Sequence, residues 1–108
     1  MQLQNVVGET DQRPLFNDMS DEPLPLKPSI YLRRQVMVTF QDDPIGPMTS
    51  NFFGEDNYMW ASDFPHSDCT WPNSRKVIES EFSGVPDTTR EKIVCTNAAR
   101  LYRINLNL

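Results

Sequence analysis

The chain has 108 residues, enough for one small domain with little stability to spare, and its 38% hydrophobic residues supply a modest core. The formal net charge is −5, and of the ten basic residues only Arg33-Arg34 and Arg75-Lys76 are adjacent. Phosphate-tracking surfaces need clustered Lys and Arg, so this composition argues against a nucleic-acid partner.

Cys69 and Cys95 form no CxxC pair and His66 is the only histidine, so neither a zinc knuckle nor a redox motif is present. Two free thiols in a reducing compartment are expected. The N-terminus carries no basic segment followed by an apolar run, and no stretch is apolar for long enough to span a bilayer. The expectation is a cytoplasmic protein with no membrane partner.

Four of the nine prolines fall in the first 28 positions, and residues 1–27 show no sustained period. They are expected to form a loop or poorly ordered arm. Pro28 and the run Ser29 to Arg34 predict one or two helical turns, because the fixed φ of proline suits a first turn. Gln35 to Gln41 is rich in β-branched and aromatic residues and ends at Asp42-Asp43-Pro44, which predicts the first strand. Pro44 to Phe53 can hold a short helix, against which Gly46 and Pro47 count, and Gly54 to Asn57 reads as a turn.

Tyr58 to Ser62 is the second predicted strand, with Trp60 in the core. Thr70 can cap a following helix with Pro72 in its first turn and Trp71, Val77, Ile78 and Phe82 near one face, and Gly84 is a natural stop. A last helix starts after Pro86 with Asp87 as N-cap. Ile93, Val94, Ala98, Leu101 and Tyr102 form its apolar stripe, and Asn97 can kink it by competing for backbone hydrogen bonds. Arg100 and Arg103 read as a solvated face near a helix C-terminus.

Alternating helices and strands imply an α/β fold with parallel strands. Two parallel strands make no stable sheet alone, since both faces need cover and both edges need partners. The chain therefore reads as part of a larger architecture.

Three phrases carry a family resemblance: KPSIYLRRQVMVTFQDDP, MWASDFPHSDCTWPNSRKVI and NAARLYRINL. In this order they resemble the C-terminal end of the amidohydrolase-related metal-dependent hydrolases and decarboxylases, relatives of aminocarboxymuconate semialdehyde decarboxylase, over Lys27 to Leu108. The resemblance implies a partial TIM (β/α)8 barrel, with residues 28–108 as its C-terminal portion and the two predicted strands as strands seven and eight. A complete barrel takes roughly 250 residues.

In that family the Asp ending strand eight binds the catalytic divalent metal, commonly zinc, and the matching position is Asp63. The resemblance gives Asp63 a metal-ligand and catalytic role, including uptake of a proton from the attacking water in hydrolytic members. The other family ligands, an HxH motif and a further His, have no counterpart here. Zinc is thus expected in the complete enzyme and none on this chain alone.

Implied partners are a small-molecule substrate, the remainder of the barrel and, for the parent, further copies of itself. The implied reaction is hydrolysis of an amide, ester or lactone, or non-oxidative decarboxylation of a small carboxylic acid. Two other readings stay open: a truncated fragment without catalytic competence, and a small acidic interaction module.

Taken by itself, without the resemblance, Asp63 reads first as a turn or capping carboxylate, because Asp after a strand bonds local backbone amides. His66, three residues on, is either a substrate-side or supporting residue at the active-site mouth or a solvated loop residue. Trp71 either lines the substrate pocket or packs beneath its helix. Asp42 and Asp43 share the same end of the sheet and are accounted for as a turn.

Overall fold

The computed structural model describes residues 23–107, and the chain divides into two compact units, residues 1–36 and 37–108. The expected arm falls outside the described residues except for residues 23–27, which hold neither helix nor strand. Helix α1, Pro28–Gln35, starts with proline in its first turn, carries Arg33 and Arg34 in its last turn, and buries no residue. It closes one residue later than predicted, with the Val36 amide donating to the Leu32 carbonyl.

The second unit runs β1 (Val38–Phe40), α2 (Ile45–Phe53), β2 (Tyr58–Trp60), α3 (Ser74–Glu81), α4 (Asp87–Glu91), a π-helical segment (Lys92–Thr96) and α5 (Asn97–Tyr102). The strands pair in parallel, Val38 opposite Tyr58 and Phe40 opposite Trp60. The mixture of helix and parallel strand is the predicted α/β class. Both strands are shorter than predicted. Gln35 and Val36 belong to the end of α1, and beyond Trp60 the backbone ladder ends with the Ala61 amide on the Phe40 carbonyl at 2.9 Å.

Helix α2 forms despite Gly46 and Pro47 because both lie in its first turn, where backbone amides have no helical partner to lose. Gly46 is required by proximity: a Cβ there would lie 2.9 Å from Cδ2 of Phe40. The Phe40 ring meets Tyr58 edge-on at 6.1 Å and Phe82 at 6.4 Å, and Phe53 lies 5.6 Å from Tyr58. Phe53, Tyr58 and Phe82 make the buried core with Met59, Ile93 and Ala99, and the half-buried Phe40 packs against it.

Helix α3 begins at Ser74, four residues after the predicted cap. Thr70 does not cap it. Its hydroxyl pairs with the Ser74 hydroxyl at 2.9 Å, and its carbonyl accepts from the Asn73 amide in a turn holding Trp71 and Pro72. Asp87 occupies the first turn of α4, and Pro86 stands at the N-cap.

The last helix departs from the predicted kink at Asn97. The irregularity is the π turn just before it, closed by the Asn97 amide donating to the Lys92 carbonyl. Asn97 does not compete for its own helix backbone. Its side chain, 1% exposed, donates through Nδ2 to the carbonyls of Glu55 at 2.7 Å and Tyr58 at 2.8 Å. Residues five apart align in a π turn, so Lys92 reaches the same segment and contacts Glu55 at 2.6 Å and Asp56 at 2.9 Å. Arg100, expected on a solvated face, donates to the Asp56 carbonyl at 2.8 Å. Among the described residues no helix is long and apolar enough to cross a membrane.

Candidate active site at the C-terminal end of the strands

Parallel pairing puts the segments that follow β1 and β2 at the same end of the sheet, and both turn on an aspartate in the left-handed region: Asp42 at φ 31° and Asp63 at φ 59°. Aspartate tolerates this conformation better than most residues, yet a non-glycine residue there is uncommon and such positions cluster at functional sites. Asp63 opens a tight turn in which its carbonyl accepts from the His66 amide at 2.8 Å, with a cis peptide between Phe64 and Pro65. The loop is framed further by the Thr70 amide on the Ser62 carbonyl at 3.1 Å and by Gln41 Nε2, which donates to the Asp68 carbonyl at 3.0 Å. That last bond ties the end of β1 to the loop after β2.

The neighbouring acids separate into two kinds. Asp43 Oδ1 accepts the Ile45 amide at 2.9 Å, so Asp43 is a local turn carboxylate at the start of α2. The Asp63 carboxylate accepts no hydrogen bond among the described residues, and the side chain is 58% exposed. His66 faces it, with Nδ1 at 3.7 Å from Oδ2. His66 Nδ1 accepts the Asp68 amide at 3.3 Å, which leaves the proton of the neutral ring on Nε2. No hydrogen bond or ion pair joins Asp42 or Asp43 to Asp63 among the described residues.

Trp71 does not pack beneath its helix. It is 62% exposed and stands edge-on to Phe64, which is 63% exposed, at 5.8 Å. The loop thus presents a carboxylate, an imidazole and two exposed rings at the end of the sheet. Among the described residues, no three of His, Cys, Asp and Glu come together as a metal-binding group. An open groove of about 380 Å³ between α2 and the turn before α4, lined by Met48, Asn51 and Val85 among others, contains none of Asp63, His66 and Trp71.

One group at this end was not anticipated from sequence. Trp60, expected in the core, is half-buried, and its indole N–H donates to Glu81 Oε2 at 3.1 Å. Burial pushes the Glu81 carboxyl above the ordinary range, opposed by the Trp60 indole and the Asp43 main-chain amide and reinforced by the charges of Asp42 and Asp43. The signal was in the chain: Glu81 follows Val77 by four residues and Ile78 by three, placing a carboxylate on the apolar stripe of its helix.

No curated protein matches the chain. Residues 31–104 match the family model described as Amidohydrolase. That stretch takes in both strands, the Asp63 loop and the whole of the last helix, and the chain belongs to the amidohydrolase family.

Proposed function

We propose that the chain supplies the last two strand-and-helix units of an eight-stranded α/β barrel in a metal-dependent amidohydrolase related to aminocarboxymuconate semialdehyde decarboxylase, with Asp63 as a ligand of the divalent metal, zinc. The observation that carries this reading is Asp63 itself: a left-handed aspartate beyond a parallel strand, whose carboxylate is not used by the surrounding backbone. A turn residue would behave as Asp43 does.

The donors present fit one corner of a shared site. Asp63 offers a hard anionic oxygen, and catalytic zinc needs about three protein ligands, so the others belong to strands of the remaining barrel. A divalent cation held there would supply Lewis-acid chemistry, polarising the carbonyl of an amide, ester or lactone, or stabilising charge in a decarboxylation.

Asp63 both fixes that cation and can take a proton from an attacking water. His66, beside it with a proton on Nε2, is placed to hydrogen-bond a substrate oxygen at the mouth. The Trp71 and Phe64 rings exclude water there. The outer edges of β1 and β2 pair with strands of the remainder, and that covering supplies the stability a two-stranded parallel sheet lacks.

In the assembled enzyme, Asp63→Asn should weaken zinc at least about tenfold, measured by competition with a chromophoric chelator, and leave the thermal midpoint nearly unchanged. The chain by itself should hold no stoichiometric zinc. Equal zinc affinity in the variant and the parent would remove Asp63 from the ligand set.

A further inference from the structure

We propose that Glu81 is the positioning residue for Asp63, acting through Trp60 to lock the end of β2 onto the turn after β1. The purpose of this brace rests on Asp63 being a ligand; the brace itself does not.

Glu81 is the last residue of α3 and Trp60 the last residue of β2, and the indole N–H to Oε2 bond of 3.1 Å joins the two ends. The same carboxyl lies beside the Asp43 main-chain amide, so it stands where β2, the β1–α2 turn and α3 converge. Two residues, Ala61 and Ser62, separate Trp60 from Asp63, and that path is fixed by two further bonds, Ala61 amide to Phe40 carbonyl and Thr70 amide to Ser62 carbonyl. The Asp63 side chain accepts no hydrogen bond among the described residues, so its direction is inherited from the backbone that Trp60 anchors.

Glu81 Oε1 is buried with no hydrogen-bond partner among the described residues. A buried acceptor left unpartnered opposes folding, so packing alone is a poor reason for a carboxylate at this point. The facing acids Asp42 and Asp43 oppose its ionisation, and the indole and the Asp43 amide favour it. The strength of the brace therefore follows the protonation of this one carboxyl.

The test is a pH titration of the full ¹⁵N-labelled chain by NMR, following the Trp60 indole, distinguished from Trp71 with a Trp71→Phe chain, and the amides of residues 62–64. The expected result is one shared step in all four signals, above the usual glutamate range, that Glu81→Gln abolishes in every signal. Glu81→Gln keeps an acceptor for the indole and so guards against loss of folding in Glu81→Ala, which should displace the same amides at every pH.

A step at the indole that is absent from residues 62–64 would overturn the proposal, as would amides of 62–64 unmoved by either variant. If Asp63→Asn retains zinc while the shared step persists, the ligand reading fails and the brace stands. If zinc is lost but no shared step exists, the reverse holds.

Discussion

Asn97 carries two hydrogen bonds from a single amide nitrogen that is shielded from water, to the Glu55 and Tyr58 carbonyls. Both acceptors lie in or next to the segment that enters β2, so this side chain fixes the approach to the strand from below while the Glu81 bond fixes its exit. Removing the amide leaves polar groups without donors in a closed environment. Asn97→Ala should lower stability by about 2–3 kcal/mol, seen as a fall in the urea midpoint at unchanged m-value. Asn97→Asp should be worse, because it sets an acceptor against two acceptors.

At the scale of elements, α2 is held against β1 by the contact between Gly46 and the Phe40 ring. Alanine is the better helix former by about 1 kcal/mol, but its methyl group would enter the space of a ring that is itself packed on Tyr58 and Phe82. Gly46→Ala should therefore destabilise, by about 1 kcal/mol net, and pairing it with Phe40→Leu should cost less than the sum of the two changes, measured by thermal midpoints in a double-mutant cycle. The order and type of the elements were legible because each has a local cause: proline at the start of α1, β-branched and aromatic residues in the strands, proline and glycine between helices. What was not legible is set by distant partners. Nothing local to residues 92–96 announces a π turn, since it exists to bring Lys92 and Asn97 onto the segment before β2. At the candidate site, the phrase around Asp63 and Trp71 marks the loop after β2 as the place to look. That the Asp63 carboxylate accepts no hydrogen bond among the described residues while that of Asp43 is consumed, and that Glu81 holds Trp60, depend on contacts made across 21 residues or on backbone angles.

At the scale of the whole molecule, two glutamates give the stability of the chain opposite dependences on pH. The Lys92 ammonium and then the Thr89 hydroxyl hold Glu55 below its ordinary value of 4.5. Its contribution is therefore full above 4.5 and is lost as pH falls through the depressed value. Glu81 is raised by burial, so its contribution is full below 4.5 and declines as pH rises through the raised value. Urea unfolding across the acid-to-neutral range should show stability falling on both sides. Glu55→Gln should flatten the acid limb and Glu81→Gln the neutral limb. Lys92, raised by the Glu55 carboxylate, adds nothing to either, since its stabilisation fades only above 10.5.

The π turn has a last consequence for how this chain is matched to its relatives. It is an α-helix with one residue to spare, and each residue of an α-helix advances the direction of its side chain by about 100°. A relative shorter by one residue between positions 92 and 96 could keep every later residue type and still aim its asparagine away from the strand. Superimposing such sequences without a gap would equate side chains that look in different directions. The spare residue is the point from which the register of the last helix has to be counted.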